Sequence, residues 1–348
     1  MQNQTFEVLY FALLSILLAV GILIAIVLIL NYLKIFEVKR KKKWNLLIDQ
    51  LLVEAITRTE IADRNDQIPY KLLKNNSFRK LLTLRIVEAS QKFSGTSRQQ
   101  LRSYYQSMDL HTYSLNKLLS NRESTIAEAI RELSVMEQVD LLPQIKEFIH
   151  HPSKTVYLEA QSALVKNYGF EGLHFMDRLD KTLSKWQMLR LLIAVKEVQP
   201  EQLEKIKTWL LHDNPSVVSM ALMLVKKFRL WELHAEVSTL LTHENKEIVK
   251  NTITALTYIE NDSTSKILTS IYHNKDTEIQ LEIMCALGKI RDQDTYPFIK
   301  EQLLNSKSTD IRIQAAKNLE SGTWTGWSTD IDDTVTLAIV RHAKSELI

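Results

Sequence analysis

The sequence predicts an all-α protein, in which one N-terminal transmembrane helix is followed by a right-handed α-solenoid of stacked helix pairs. Three observations predict this class. Residues 8–33 carry no charged side chain, a pattern of apolar and cap-forming residues recurs about every 31 residues, and only 7 Gly and 6 Pro occur among 348 residues. So little turn-forming material disfavours a β-sandwich or a β-barrel. The single cysteine, Cys285, excludes an intramolecular disulfide scaffold.

The first element is the apolar stretch at residues 8–33. As a helix it rises about 39 Å, which exceeds the roughly 30 Å hydrocarbon core of a bilayer. A cleaved signal peptide is the competing interpretation, and it would have a basic start and a shorter apolar stretch. Residues 1–7 contain no Lys or Arg. We therefore predict an uncleaved transmembrane helix at residues 8–33, preceded by a short extracytoplasmic N-terminus at residues 1–7.

A basic juxtamembrane segment, residues 34–43, follows the span. Because positively charged residues stay on the cytoplasmic side, we predict a single-pass protein of the cell (inner) membrane, with its N-terminus outside and the solenoid in the cytoplasm. The basic run has two interpretations, a stop-transfer signal or recognition of anionic lipid headgroups. The residues expected at the membrane surface are Lys39, Arg40, Lys41, Lys42 and Lys43.

Residues 44–109 form an N-terminal helical region that does not follow the later period. Apolar residues at helical spacing predict amphipathic helices at residues 44–62, 77–93 and 97–108. These helices are either divergent repeats or a cap that seals the first repeat. The pattern leaves both alternatives open.

A repeat array is predicted at residues 110–320. Seven anchor positions are spaced 31, 31, 30, 31, 31 and 32 residues apart: Thr125, Val156, Gln187, Val217, Ile248, Ile279 and Ile311. Positions four and eight residues after each anchor are almost all aliphatic, which is typical of one buried helical stripe. Six of the seven residues three before the anchors are good N-caps. A second apolar stripe precedes each cap, so each unit reads as a helix, a polar turn and a capped helix. A final capping helix is predicted within residues 321–348, beginning after Thr329 or Asp330.

These units resemble the HEAT family, in the short HEAT-like form that also occurs in phycobilisome lyases. The motif Ile311-Arg312, Ala315-Ala316 and Leu319 carries the resemblance most clearly. The resemblance implies stacked helix pairs with an extended concave surface. The stretches Glu159-Ala160-Gln161 and Ser184-Lys185-Trp186-Gln187, with the N-terminal span, are also similar to single-span bacterial HEAT proteins. Some of those are associated with membrane glycosyltransferases.

Catalytic motifs are not visible in the sequence. We find no nucleotide-binding loop, zinc pattern or nucleophile motif, and we predict no catalytic residue, no metal site and no cofactor. Asp330, Asp332 and Asp333 lack the glycine and the distal glutamate of a calcium loop. Chromophore attachment at Cys285, which the lyase resemblance suggests, competes with the commoner role of a small apolar residue on a helix.

The outward face of the second helices, which HEAT stacks place on the concave side, is the predicted binding surface. Most residues three and six after the anchors are polar, as a solvated groove requires. We expect an apolar spot in the middle of this face, flanked by charged residues, and the alternative is that this helix is buried on all sides. The predicted partner-binding residues are Glu159, Arg190, Ile193, Met220, Met223 and Glu282.

The sequence is compatible with three function classes. The first is a non-catalytic, membrane-anchored scaffold that binds a protein partner, such as a membrane glycosyltransferase or polysaccharide-synthesis complex. The second is a nucleic-acid-binding protein, which needs a basic stripe. Residues 1–43 hold six basic and two acidic side chains, which is a net charge of +4. Because the net charge of the whole chain is +3, residues 44–348 carry a net charge of −1 and do not supply such a stripe. The third is a lyase-like enzyme. We favour the scaffold, with a membrane-associated protein partner, no nucleic acid and no small-molecule substrate.

Overall fold

The protein is built from helices. A computed structural model describes residues 2–57, 70–321 and 333–346, and all regular elements within these ranges are α-helices or short 3-10 helices. This confirms the predicted all-α class. The chain divides into two compact units, Met1–Ile145 and Lys146–Ile348. The boundary falls between the first and second predicted repeats, so the helix that carries the anchor Thr125 belongs to the first unit.

The first unit is organised around one long N-terminal helix. Its apolar stretch continues without a break into the region that begins at Trp44, where one face of the helix becomes buried. The ring of Trp44 meets the ring of Phe78 edge to face, with centroids 5.5 Å apart. The helices are α1 (Gln2–Thr57), α2 (Tyr70–Leu73), α3 (Asn76–Lys92), α4 (Gly95–Ser107), α5 (Leu110–Lys117) and α6 (Glu123–Val135), with α7 (Leu142–Lys146) at the boundary.

The second unit stacks helix pairs. Neighbouring second helices pack side by side, and from α10 onward each one also packs against the first helix of its own pair. The first helices are α10 (Leu203–Leu210), α12 (His234–Thr239), α14 (Thr264–Tyr272) and α16 (Tyr296–Asn305). The second helices are α8 (Lys154–Tyr168), α9 (Lys185–Ala194), α11 (Pro215–Phe228), α13 (Lys246–Leu256), α15 (Thr277–Ile290) and α17 (Thr309–Ser321).

The predicted periodicity is confirmed by burial. All seven residues at each of the positions four and eight after the anchors are buried, and so are six of the seven anchors. Four predicted caps also bind the first turn of their helix through the side chain, namely Ser184, Asn214, Asn245 and Asp276. Each such bond satisfies an N–H group that has no partner within the helix.

The last helix, α18 (Thr334–Glu346), packs against α17. Its cap is Asp333, whose carboxylate accepts bonds from the Val335 N–H at 3.2 Å and the Thr336 N–H at 2.9 Å. The helix therefore begins later than the sequence suggested, because Asp333 supplies the acceptor that its first turn needs. Thr329, Asp330 and Asp332 lie outside the described residues.

One repeat departs from the helix-pair rule. Between α8 and α9 the first helix is replaced by a 3-10 helix at Gly169–Arg178. This segment passes so close to α8 that a Cβ atom on Gly172 would lie 2.5 Å from the backbone of Leu164 and Val165. Only glycine allows that approach.

Gly172→Ala is therefore expected to destabilise the second unit by about 1–3 kcal/mol, because the methyl group meets backbone that is fixed by α8. Urea unfolding followed by circular dichroism measures the change. Gly21→Ala is the control, since nothing lies within 4 Å of a Cβ atom there. Equal midpoints for both variants would contradict the close approach.

Candidate functional site

Five of the six predicted binding residues on the outward face of the second helices are at least partly exposed to solvent. Ile193 is 69% exposed, while Glu159, Arg190, Met223 and Glu282 are half-buried. Met220 is 0% exposed, so its expected place in an exposed apolar spot is wrong. Residues three after the anchor are half-buried in every other described repeat. Long polar side chains at this position reach solvent, whereas a methionine fills the gap between helices.

The exposed apolar surface lies on α9 instead. Trp186 is 70% exposed, Leu189 is 40% exposed and Ile193 is 69% exposed. They are spaced at i, i+3 and i+7 on a ten-residue helix, so they form one stripe on its outer side. We call these three residues the α9 stripe. A contiguous apolar stripe in a polar surrounding is typical of a protein-binding surface.

Polar contacts fix α9 on both sides of the stripe. The Arg190 guanidinium lies 3.6 Å from the Glu159 carboxylate and donates to the Ser162 hydroxyl at 3.1 Å, which ties α9 to α8. On the other side, the Lys227 ammonium donates to the carbonyl oxygens of Leu192 at 2.7 Å and Val195 at 2.6 Å. Burial lowers the pKa of Lys227.

These contacts hold α9 in place. Lys227 caps the C-terminal end of α9, where carbonyl groups lack partners within the helix. Because both flanks of α9 are held by charged side chains, its backbone presents the stripe without having to reorder on binding. Glu159 and Arg190 therefore position the surface, rather than offering free charges.

Cys285 is half-buried on the outward face. Burial raises the pKa of Cys285, and the neighbouring Glu282 carboxylate raises it further. Since the thiolate is the nucleophile, a half-buried thiol with a raised pKa stays protonated at neutral pH. This favours the packing role for Cys285 over chromophore attachment.

Histidines recur in the turns that precede the caps, and the sequence analysis missed their role. The Nδ1 atoms of His151, His212 and His243 accept the backbone N–H of the residue two positions later, at 3.1, 2.9 and 2.9 Å. Each of these residues stands five before an anchor, a spacing that was visible in the sequence. The histidines close turns in the described repeats, and no group of three potential metal ligands occurs among the residues that the structure covers.

The first unit contains a buried polar cluster that the sequence did not reveal. Glu132 accepts bonds from the Lys117 ammonium at 2.7 Å and the Ser114 hydroxyl at 2.6 Å, and Ser114 accepts from the Tyr105 hydroxyl at 2.8 Å. Desolvation raises the pKa of Glu132, and Lys117 opposes this effect. Desolvation also raises the pKa of Tyr105. The groups satisfy one another and join α5 to α6, so the cluster is structural.

The N-terminal helix is the candidate membrane anchor. From Ile16 it contains an apolar window with a mean hydropathy of 2.9, none of which is buried against the protein, so it is long and apolar enough to cross a bilayer. All five basic residues at 39–43 are exposed. Lys41 pairs with Glu37 at 2.7 Å, and the Arg40 guanidinium lies 4.9 Å from the ring centroid of Trp44.

Comparisons with known proteins find one family match and solved structures of low similarity. Residues 234–320 match the family of HEAT repeats, and no curated protein matches the sequence. Among solved structures, an engineered protein has 15% identity, a TM-score of 0.36, and coverage of 86% of this chain and 82% of its own. The complex of CpcE and CpcF of phycocyanin lyase from a Nostoc species has 12% identity, a TM-score of 0.27, and coverage of 84% and 99%. Human deoxyhypusine hydroxylase in complex with glycerol has 13% identity, a TM-score of 0.28, and coverage of 76% and 97%. The family match shows HEAT repeats at residues 234–320, and the same helix-pair arrangement extends from α10 to α17.

Proposed function

We propose that this protein is a non-catalytic scaffold, which is anchored in the membrane by α1 and binds a protein partner on the outward face of its HEAT-like repeats. The α9 stripe is the observation that carries the proposal. Large apolar side chains at i, i+3 and i+7 complement the apolar face of a partner helix. Trp186 supplies the kind of aromatic anchor that dominates binding energy at protein interfaces.

The partner that we propose is a membrane-associated protein, such as a membrane glycosyltransferase in a polysaccharide-synthesis complex. An uncharged span followed by the basic segment at 34–43 supports a cytoplasmic location for the repeats under the positive-inside rule. A tethered scaffold meets partners in the same membrane at a high effective concentration. The resemblance to single-span bacterial HEAT proteins directs the search towards glycosyltransferases.

Trp186→Glu and Ile193→Glu are each expected to abolish partner capture without changing stability. Both side chains are exposed, so a charge there costs within about 0.5 kcal/mol of folding free energy but places an unpaired charge in a buried interface. The measurement is quantitative mass spectrometry of proteins that co-purify with the full-length chain from detergent-solubilised membranes, together with thermal unfolding.

Leu211→Glu is the matched control, because Leu211 is an exposed leucine in the turn after α10. It is expected to retain the partner. Retention of one stoichiometric partner by all three variants would refute the α9 stripe as the binding surface. A co-purifying pigment or nucleic acid would contradict the scaffold itself.

A further inference from the structure

A second surface lies at the C-terminal ends of α11, α13 and α15, and none of its lining residues belongs to α9. A cleft of about 490 Å³ opens there, lined by Arg229, Trp231, Thr257, Tyr258, Glu260 and Lys289. Arg229 directly follows α11, Thr257 and Tyr258 follow α13, and Lys289 lies in the last turn of α15. Consecutive repeats therefore build one cleft, which we call the basic cleft.

Two aromatic side chains are exposed in the basic cleft. Trp231 is 55% exposed and Tyr258 is 41% exposed, although aromatic rings of this size usually pack inward. The Lys226 ammonium lies 5.3 Å from the ring centroid of Tyr258. An exposed tryptophan and tyrosine beside cations offer an apolar contact together with positive charge.

Two cations of the basic cleft lack a side-chain partner, unlike several other cations in the second unit. Elsewhere, Lys205 pairs with Asp177 at 2.6 Å and Lys250 pairs with Glu278 at 2.8 Å. The side chains of Arg229 and Lys289 form no ion pair or hydrogen bond within the described residues, even though Glu260 lines the same cleft. Two cations and one carboxylate line the basic cleft, and Lys226 adds a third cation beside Tyr258, so the cleft carries a surplus of positive charge.

The surroundings of the basic cleft limit what it can accept. Glu260 also lines a neighbouring groove of about 450 Å³, where Asp262, Asp292 and Asp294 outnumber the single Lys266. A flat anionic membrane or a long nucleic acid would extend across this acidic groove and be repelled. A short acidic segment fits the basic cleft alone.

We propose that the basic cleft binds a short acidic peptide segment of a partner protein, whose carboxylates pair with Arg229 and Lys289 and whose apolar side chain lies between Trp231 and Tyr258. Arginine binds a carboxylate through two parallel hydrogen bonds, and recognition of acidic motifs by cationic clusters is a recurring mode of peptide binding. The basic cleft is a second contact, separate from the α9 stripe of the proposed function. Its occupant is specified by charge and not by helical shape.

The test exploits two arginines with the same backbone conformation. Arg229 and Arg291 both occupy the left-handed position after a helix, with φ of 50° and 58°. Because this region favours glycine, Arg229→Gly and Arg291→Gly each remove one positive charge and relieve the same strain. Only Arg229 lines the basic cleft.

The probe is a fluorescein-labelled peptide, EEFEEL, titrated by anisotropy against the full-length protein in detergent. Arg229→Gly and Lys289→Glu are expected to weaken binding at least tenfold, while Arg291→Gly leaves the affinity within twofold. The peptide KKFKKL is expected not to bind. Trp186→Glu is expected to bind EEFEEL normally, which separates this cleft from the α9 stripe.

Two outcomes would overturn the inference. Equal losses of peptide affinity for Arg229→Gly and Arg291→Gly would show that the peptide binds by non-specific electrostatic attraction. Displacement of EEFEEL by phosphatidylserine vesicles or by duplex DNA would assign the cleft to another polyanion. If the thermal midpoint of Arg229→Gly lies below that of the unmodified protein, its loss of peptide affinity reflects misfolding. The affinity of Lys289→Glu, measured at an unchanged thermal midpoint, then decides whether the basic cleft binds the peptide.

Discussion

Lys117→Met is expected to destabilise the first unit by about 3–5 kcal/mol at pH 7.5, because it leaves the buried Glu132 carboxylate without its cation. Lys117 and Glu132 are both buried, with side-chain exposures of 9% and 4%. The ammonium is also 3.4 Å from Glu128. Methionine retains the length and apolar stem of the lysine, so the loss is electrostatic. Urea unfolding of the full-length protein measures it.

The pH dependence of this variant follows from the raised pKa of Glu132. Desolvation already raises that pKa in the folded protein, and Lys117 opposes the rise. Removing Lys117 raises the pKa further, so the folded state binds a proton that the unfolded state releases above about pH 4.5. Stability of the variant is then highest below the unfolded pKa and falls as pH rises through the folded pKa. The defect of Lys117→Met should therefore shrink between pH 7.5 and pH 5.

A double variant separates charge from packing. Glu132→Gln combined with Lys117→Met removes both charges and keeps an acceptor for the Ser114 hydroxyl. It should recover most of the lost stability, because replacing both members of a buried pair is far less costly than removing one. A double variant as unstable as Lys117→Met, with no dependence on pH, would show that the lysine acts through packing alone.

The sequence predicted the repeat because its strongest signals are local. Anchors, caps and the positions four and eight after each anchor depend on helical spacing within one unit, and burial confirms them. Glu132 stands seven after its anchor, where most other repeats have alanine or leucine. An isolated carboxylate in that column was a visible signal. Its partner Lys117 depends on how α5 packs against α6, which spacing does not specify.

A second polar residue in the same column shows how packing decides. Asn318 is buried seven after its anchor, and its amide donates to the Met284 carbonyl at 2.7 Å. Gly288 provides the space for the Asn318 side chain, since a Cβ atom at Gly288 would lie 2.1 Å from it. Of the exposed stripe, Ile193 was predicted, but Trp186 and Leu189 were missed for a related reason. Trp186 stands one before its anchor, and that position is exposed in most described repeats, whereas the prediction concentrated on positions three and six after it.

Trp209 lies on α10, the first helix of the next repeat, and packs against the repeat that lacks a regular first helix. It stands eight before its anchor and is 1% exposed. Its ring lies 5.2 Å from that of Phe170, and its indole N–H donates to Asp177 at 2.7 Å. Phe170 and Asp177 both belong to the 3-10 segment Gly169–Arg178. Since short 3-10 helices have poor internal hydrogen bonds, this segment depends on Trp209 for its position.

Trp209→Ala is therefore expected to destabilise the second unit by about 3–5 kcal/mol, through lost burial and the cavity that remains. Trp209→Phe should cost less, because the ring still fills most of the space and Asp177 keeps its ion pair with Lys205 at 2.6 Å. Urea unfolding monitored by circular dichroism measures both. Trp186→Ala is the matched control, and its change should lie within about 0.5 kcal/mol because that tryptophan is exposed. If the two alanine variants unfolded at the same urea concentration, the 3-10 segment would not depend on Trp209.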